Sequence, residues 1–323
     1  MTTAWVLGSG GLLGTALCRA LRGQRVALFV PAERFCWGDC AVLDLQIASA
    51  MRGFAAKINA GDSWQIYWAA GIGTMGSTLE AVSTETRALK LLLQLIESYP
   101  HLLSGSGAIA LASSAGAVYA GADDAVITEN TSAAPTTAYA CEKVVQESLI
   151  STFTAANNRI GALLARISTI YGPGQAVDKK QGLLTHIARR ILRNQPIQIF
   201  VPYDTIRDYI AVDDAANLIV NALGVAALRR RAVIKIIASE HPTTIAEIVS
   251  VFKRLARRAP RIVTSASKLS GLYARRVEFR SIALPECARV PRKSLLIGIA
   301  QLMAAERAAF VQSRVSNALL RKT

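Results

Sequence analysis

The sequence predicts an α/β fold with a doubly wound parallel sheet. Short apolar runs with the pattern of buried strands alternate with helical stretches along most of the chain, and that alternation is typical of a parallel sheet covered by helices. The 323 residues suit one large domain or two smaller ones, each with a substantial core. With 52% hydrophobic and only 18% charged residues, the composition excludes a disordered chain.

The first predicted strand covers residues 4–7, and a helix follows at residues 15–21 with Gly23 as its stop signal. The turn between them reads Gly8-Ser9-Gly10-Gly11-Leu12-Leu13-Gly14. Glycines in such a turn let the backbone approach a pyrophosphate closely, and the helix N-terminus offers unpaired N–H groups to that anion. The spacing Gly8-x-x-Gly11-x-x-Gly14 differs from the G-x-G-x-x-G of two-domain dehydrogenases. We predict a dinucleotide site here; the alternative is a turn that only connects strand and helix.

The second predicted strand covers Val26–Val30, and its end bears on the choice between NAD and NADP. An acidic residue there would bind the adenosine ribose hydroxyls of NAD, whereas a nearby arginine would suit the 2′-phosphate of NADP. Val30-Pro31 occupies that position, and Glu33 and Arg34 lie slightly beyond it. The residues therefore leave the choice between the two cofactors open.

The next two predicted strands extend this site. Val42–Leu45 has the pattern of a third strand end, with the carboxylate of Asp44 placed to accept from an adenine amino group. Ile66–Ala70 is predicted as a fourth strand, which opens through Gly71 into a loop over the cofactor. Both strand ends are thus expected to line the dinucleotide.

A serine pair, a tyrosine and a lysine form the candidate catalytic group. The predicted strand Ala108–Ala112 ends in Ser113-Ser114, and Tyr139 opens a helical stretch that carries Lys143 four residues later. Residues four apart share one face of a helix. The Lys143 ammonium can lower the phenol pKa, so that Tyr139 moves a hydroxyl proton while a nicotinamide moves the hydride. The alternative, an ordinary helix face, is disfavoured by the order of the three segments.

These segments resemble the extended short-chain dehydrogenase/reductases, in particular the nucleotide-sugar epimerase/dehydratase family. The resemblance covers nearly the whole chain. It rests on Gly8-x-x-Gly11-x-x-Gly14, Asp44-Leu45, Trp68-Ala69-Ala70, residues 113–119, Tyr139-x-x-x-Lys143, residues 166–174, and Arg207-Asp208-Tyr209-x-x-Val212-x-Asp214. The last of these motifs is the most specific.

The resemblance implies a Rossmann-type core over residues 1–170, to which residues 213–240 return, and a substrate-binding lobe from residues 171–212 and 241–323. The implied catalytic residues are Ser114, Tyr139 and Lys143. The implied cofactor-binding residues are Gly8, Gly11, Leu12, Leu13, Gly14, Asp44, Leu45, Ala69, Ala70, Gly71, Tyr139 and Lys143. Ser114, Thr169 and Arg207 are the implied substrate contacts, with Arg207 on the substrate diphosphate; a surface ion pair with Asp208 or Asp213 is the alternative for Arg207.

Departures from the family pattern narrow the expected chemistry. No acid pair follows Ser114, where the 4,6-dehydratases carry one, so dehydration is disfavoured. Ala115 occupies the position at which many epimerases have the active serine. The active serine is therefore expected beside that position, and Ser114 is preferred to Ser113. Thr169 and Glu85 each stand where the family commonly has asparagine. The reactions left are 4-epimerisation and reduction of a keto-sugar, and a non-catalytic dinucleotide-binding scaffold is the competing class.

The C-terminal third carries the whole net charge. Residues 225–323 hold 20 basic and 5 acidic side chains, which account for the formal charge of +15. A diphosphate substrate would use part of this excess. The remainder is expected on solvated helix faces; peripheral contact with an anionic membrane and binding of nucleic acid are the less favoured alternatives, in that order. Val233–Ala238 is predicted as the last sheet strand. Thr244 and Glu247 predict a capping box on a helix over Ile245–Arg258.

Residue counts set the remaining expectations. The five cysteines are odd in number and form no C-x-x-C pair, which favours reduced thiols and a cytoplasmic protein. The three histidines have no metal-ligand spacing, so no metal site is expected. No uninterrupted apolar run has the length of a membrane-spanning helix. The family resemblance also implies a homodimer formed through the Tyr139–Lys143 helix and its neighbour.

Overall fold

The computed structural model describes residues 1–59, 61–176, 182–257, 260–264, 275–287 and 291–320, with side chains up to residue 313. The strands are β1 (Thr2–Leu7), β2 (Ala27–Phe29), β3 (Ser63–Trp68), β4 (Ser106–Ser114), β5 (Ile160–Ile167), β6 (Thr169–Tyr171), β7 (Ile197–Ile199), β8 (Ile206–Ala211), β9 (Ala232–Ile237), β10 (Pro242–Thr244) and β11 (Ile262–Thr264). The helices are α1 (Leu12–Gly23), α2 (Cys40–Ala55), α3 (Leu79–Glu97), α4 (Pro100–Ser104), α5 (Ala115–Val118), α6 (Ala138–Ala156), α7 (Leu183–Leu192), α8 (Val212–Arg229), α9 (Ile245–Ala256) and α10 (Leu295–Leu320).

A six-stranded parallel sheet forms the centre of the larger part, in the order β2-β1-β3-β4-β5-β9. Successive side chains of β1 alternate between the two faces of this sheet. Trp5 and Leu7 pack with α2 and α3, whereas Ala4 and Val6 pack with α1 and α8. Since both faces are covered by helices, the predicted doubly wound α/β fold is confirmed.

The strand order reverses at β1, which pairs with β2 on one side and β3 on the other. In doubly wound sheets, ligands bind in the crevice outside the carboxyl ends of the strands at such a switch point. The turn after β1, the loop after β3 and the N-terminus of α6 all lie at this edge of the parallel sheet. The topology thus brings the three predicted site segments to one end of the molecule.

The strand predicted over Val42–Leu45 is wrong, because these residues lie in α2. Asp39 caps α2 by accepting from the backbone N–H of Val42 at 3.0 Å, and Leu43, Ile47 and Phe54 recur along its buried face. That spacing follows the helical period, which a four-residue window could not reveal. Within the described residues β2 is therefore the edge of the sheet, and the further strand of the common 3-2-1-4-5-6 order is missing.

Besides the core around the six-stranded sheet, a second hydrophobic cluster joins the segments that precede and follow α8 in the chain. The sheets β10-β8-β6 and β11-β7 contribute to it together with α7, α9 and α10. Its buried members include Ile187, Ile248, Phe252 and Leu302. The lobe boundaries at residues 171–212 and 241–323 stay a prediction.

The predicted capping box is present at the start of α9. Thr244 Oγ1 accepts from the backbone N–H of Glu247 at 3.1 Å, and the Glu247 carboxylate accepts from the backbone N–H of Thr244 at 2.7 Å. The helix ends at Ala256 instead of Arg258, which lies outside the described residues. The predicted last strand is confirmed as β9, one residue earlier than expected.

One helix is long and apolar enough to cross a membrane by length and composition, over Leu295–Ser313 of α10 with a mean hydropathy of 1.3. Ile299, Leu302 and Met303 of this helix are buried in the second cluster. The core helix of a folded domain meets the same test of length and composition, so this observation by itself is weak support for a membrane span.

Candidate active site

The glycine turn after β1 is shaped by close backbone packing. Gly8 has a φ of +80°, and a Cβ there would lie 2.6 Å from the carbonyl oxygen of Ala69, just beyond β3. A Cβ on Gly14 would overlap the carbonyl oxygen of Gly8. Both positions therefore require glycine. The turn holds the start of α1 against the sheet, as a phosphate-binding turn needs.

The N-terminus of α1 is open to an anion. Gly11 is its N-cap residue and makes no side-chain capping hydrogen bond, so the first N–H groups of the helix are not paired by a side chain. The side chain of Leu13 packs into the core, and Leu12 contacts the same cluster. This cradle fits the pyrophosphate of a dinucleotide.

The loop after β3 carries Ala69, Ala70 and Gly71. The backbone N–H of Ala69 donates to the carbonyl of Leu7 at 3.0 Å, which keeps the loop beside β1. Beyond it, the buried Glu85 of α3 accepts from the backbone N–H groups of Ile72 at 2.6 Å and Gly73 at 3.0 Å. A carboxylate from α3 thus anchors the loop at the edge where the cofactor is predicted to lie.

Tyr139 and Lys143 lie in the first turns of α6, as predicted. Thr137 caps this helix by accepting from the backbone N–H of Ala140 at 3.2 Å. The Lys143 Nζ lies 5.6 Å from the centre of the Tyr139 ring, and a Cβ on Gly73 would lie 2.8 Å from Cδ2 of Tyr139. The pair therefore faces the loop that follows β3, although the catalytic roles of both residues stay predictions.

Lys143 is buried and has two polar partners. Its Nζ donates to Oε1 of Gln146 at 3.0 Å and lies 3.8 Å from Oε2 of Glu85. Burial lowers the pKa of Lys143, and the nearby carboxylates of Glu85 and Glu147 act in the opposite direction. The sequence showed Glu85 only as a departure from the family's asparagine, and its pairing with Lys143 was not predicted.

The two serines at the end of β4 have different surroundings. Ser113 is buried and donates to Oε1 of Glu147 at 2.5 Å. Arg166 binds the same carboxylate, with Nη2 2.7 Å from Oε2, and donates through Nη1 to the hydroxyl of Tyr119 at 2.6 Å. Ser114 is half-buried at the start of α5. The hydroxyl of Ser113 is committed to this network, which favours Ser114 as the serine that meets a substrate.

Glu147 was missed at the sequence level, yet a signal for it was present. It follows Lys143 by four residues, as Lys143 follows Tyr139, so the three side chains share one face of α6. Its partners come from β4 and β5, whose ends lie beside that face. The network joins the strand ends to α6 beneath the candidate site.

Asp44 lies in the second turn of α2 and not at a strand end. Its Oδ2 accepts from Nη1 of Arg87 at 2.6 Å, and its Oδ1 is buried with no hydrogen-bond partner among the described groups. The neighbouring Leu45 is exposed. The strand-end geometry that motivated an adenine contact is therefore corrected, and the contact itself stays a prediction.

The predicted substrate residues lie on neighbouring strands. Thr169 is exposed at the start of β6, which pairs with β8, the strand that carries Arg207. Arg207 is half-buried and donates through Nη1 to the carbonyl of Ile206 at 2.8 Å. Its acidic neighbour Asp208 accepts from Ser168 at 2.6 Å and from the backbone N–H of Ser239 at 2.8 Å.

Together, the fold and the site define an α/β protein of the dinucleotide-binding type with a tyrosine–lysine pair at the carboxyl edge of its sheet. The chain belongs to the NAD dependent epimerase/dehydratase family, whose sequence model matches residues 4–236. Both the predicted fold class and the predicted family are thereby confirmed.

Individual relatives cover only part of the chain. It is similar to the dTDP-4-dehydro-6-deoxyglucose reductase of Escherichia coli, with 34% identity over 111 residues, which are 34% of this chain and 34% of that protein. It is also similar to the dTDP-L-rhamnose 4-epimerase of Burkholderia thailandensis, with 27% identity over 96 residues, which are 29% of this chain and 26% of that protein. The chain thus spans 34% of the length of one of these curated relatives and 26% of the other.

A solved structure extends the likeness to the whole fold. The UDP-glucose 4-epimerase of Thermus thermophilus, in complex with NAD, has a TM-score of 0.77 and 17% identity. The match covers 96% of this chain and 100% of that chain. At this level of identity the comparison shows the shared fold.

Proposed function

We propose that this protein is an NAD(P)-dependent 4-epimerase of a nucleotide-sugar. The observation that carries the proposal is the placing of Tyr139 beside the Lys143 ammonium, against the loop that follows β3. A phenol with an ordinary pKa near 10 is a poor base at neutral pH, and an adjacent ammonium lowers that pKa. A proton-transfer group is thus available at the carboxyl edge of the sheet, where the fold binds its ligands.

In this proposal each residue has one task. Ser114 holds the oxygen of the reacting sugar hydroxyl, and Tyr139 removes its proton while Lys143 stabilises the phenolate. Reversible hydride transfer at the same carbon is the chemistry that a bound NAD or NADP would supply, and return of the hydride to the opposite face of the ketone would invert that carbon. Tyr139 then gives back its proton, so that the configuration at C4 is inverted and no cofactor is consumed.

The chain's own residues fit such a cofactor. The uncapped start of α1 after Gly11 would bind the pyrophosphate, and Gly8 and Gly14 let the backbone approach it. Lys143 would donate to the nicotinamide ribose, as the family implies. We favour NAD over NADP on the family alone, because the residues after β2 contain both Glu33 and Arg34.

The curated relatives support carbon 4 of the sugar as the reacting carbon. The names of the E. coli reductase and the B. thailandensis epimerase both refer to carbon 4 of a dTDP-sugar. The E. coli relative also supports a second candidate, an NAD(P)H-dependent keto-sugar reductase, which needs only the return half of the same proton and hydride transfer. A non-catalytic dinucleotide-binding scaffold is the alternative from a different class.

The cellular location, oligomeric state and partners of the enzyme are also proposed. We propose a cytoplasmic homodimer that packs through α3 and α6, because these helices pack on each other and leave Leu79 and Val145 exposed. The nucleotide-sugar is its small-molecule substrate, and Thr169 and Arg207 are proposed to contact it. Peripheral contact with an anionic membrane through the basic C-terminal third is a further proposal, testable by vesicle sedimentation.

The test incubates a panel of dTDP- and UDP-hexoses with NAD and with NADP, and the corresponding 4-keto-sugars with NADH and with NADPH. An epimerase interconverts two sugars, seen by NMR, with no net change in cofactor absorbance, whereas a reductase consumes the reduced cofactor and a keto-sugar in equal amounts. Tyr139→Phe should abolish turnover, and Tyr99→Phe, in a half-buried tyrosine before α4, is the matched control. Saturable cofactor binding with no turnover of any sugar would contradict the proposal and favour the scaffold.

A further inference from the structure

The buried carboxylate of Glu85 is an unusual feature of this site. Its oxygens accept from two backbone N–H groups of the loop after β3 and also face the Lys143 ammonium across 3.8 Å. Both side chains of this ion pair are only 5% exposed. A neutral amide oxygen, such as that of glutamine, could accept the same two hydrogen bonds, so these bonds alone do not require a charge at this position.

The other groups around Lys143 carry little uncompensated charge. Gln146 is neutral, and its amide donates to Thr86 Oγ1 at 3.1 Å, which in turn donates to Glu142. Glu147 also favours the charged form of Lys143, but its carboxylate is itself paired with Arg166. The remaining neighbour is Tyr139, whose phenol is neutral until it gives up its proton. Among the described residues, Glu85 is therefore the carboxylate that pairs with Lys143.

We propose that Glu85 is a positioning residue that keeps Lys143 in its charged form and so sets the ionisation of Tyr139. The inference rests on the proposed function, in which Tyr139 moves the proton. A buried ammonium with no counter-charge is costly, and it escapes that cost by losing its proton. Neutral Lys143 would no longer stabilise the phenolate, so the Tyr139 phenol would hold its proton to higher pH.

Glu85 has a second, opposing effect, because its negative charge also disfavours a phenolate nearby. We expect the first effect to prevail. The carboxylate is paired with Nζ across 3.8 Å, and that ammonium lies 5.6 Å from the ring centre of Tyr139. Loss of the Lys143 proton removes the whole positive charge, whereas Glu85 only offsets part of it.

The experiment titrates Tyr139 in Glu85→Gln. Glutamine keeps an oxygen for the N–H groups of Ile72 and Gly73 but carries no charge. Tyrosinate absorbance is followed against pH, and subtraction of the curve for the same protein with Tyr139→Phe isolates the one phenol. We expect the midpoint of the Tyr139 titration to move up by about one pH unit, and kcat at neutral pH to fall about tenfold.

Two controls keep the result interpretable. Glu80→Gln removes one negative charge from the exposed first turn of the same helix and should leave the titration unchanged. Glu85→Asp keeps the charge but draws it back from Lys143, and should raise the midpoint of the Tyr139 titration by a smaller amount. This variant still tests the inference if Glu85→Gln does not fold. The inference is overturned if the midpoint of the Tyr139 titration is unchanged or lowered in either folded variant. Because the titration needs no sugar, absence of turnover in the unmodified protein overturns the proposed function separately.

Discussion

Gly14 of α1 packs so closely on Gly8 that a Cβ at position 14 would overlap the Gly8 carbonyl oxygen. Gly14→Ala should therefore push α1 away from the turn and weaken dinucleotide binding by about tenfold or more, since the helix N-terminus no longer meets the pyrophosphate. Gly23→Ala is the control, because a Cβ there meets nothing within 4 Å. Calorimetric titration with NAD and NADP measures both variants. Equal affinities in the two would place the pyrophosphate elsewhere.

Replacement of the two serines of β4 by alanine should affect different properties, activity for Ser114 and stability for Ser113. Ser114→Ala removes the proposed substrate contact and should lower kcat by about tenfold or more, with stability nearly unchanged. Ser113→Ala removes the donor to buried Glu147 and should cost about 1–3 kcal/mol of unfolding free energy. Urea denaturation and steady-state kinetics separate the effects. A larger kinetic loss in Ser113→Ala, with Ser114→Ala fully active, would reverse the assignment.

Glu147 and Arg166 form a buried ion pair, each side chain only 6% exposed. Glu147→Gln leaves the guanidinium without its counter-charge, so we expect a loss of about 3–5 kcal/mol in unfolding free energy. The matched control is Asp204→Asn, which breaks the exposed ion pair with Arg275 and should cost about 1 kcal/mol or less. If chemical denaturation gives similar losses for both, the buried ion pair stabilises the fold no more than an exposed one.

Tyr171 should govern part of the alkaline stability. Burial first, and then the Asp214 carboxylate, raise the pKa of Tyr171 to about 12 from an ordinary value of 10.0. The folded state therefore keeps a proton that the unfolded chain releases. This contribution to stability is complete below pH 10 and is lost as the pH rises to about 12.

Tyr171→Phe should accordingly flatten the fall of unfolding free energy between pH 10 and 12, because phenylalanine has no proton to lose. Denaturation at a series of pH values measures that slope. Tyr203→Phe, in a more exposed tyrosine, is the control and should leave the slope as it is in the unmodified protein. Identical slopes in all three proteins would show that Tyr171 makes no such contribution.

Much of the fold and part of the site could be predicted from local patterns. The alternation of apolar runs predicted the parallel sheet, and the glycine spacing predicted the turn after β1. Asp44 shows where such reasoning failed. Four residues with mixed polarity fit a strand end as well as a helix, and only the longer run of Leu43, Ile47 and Phe54 separates the two.

The features that could be predicted from the amino-acid sequence are those that depend on neighbours along the chain. Tyr139 and Lys143 share a face because the helical period places residues four apart together, and Thr244 with Glu247 closes a capping box for the same reason of local geometry. Tertiary structure alone decided which serine is buried against Glu147 and which carboxylate pairs with Lys143. Those contacts join distant elements, and burial decides them by making an unpaired polar group or charge costly.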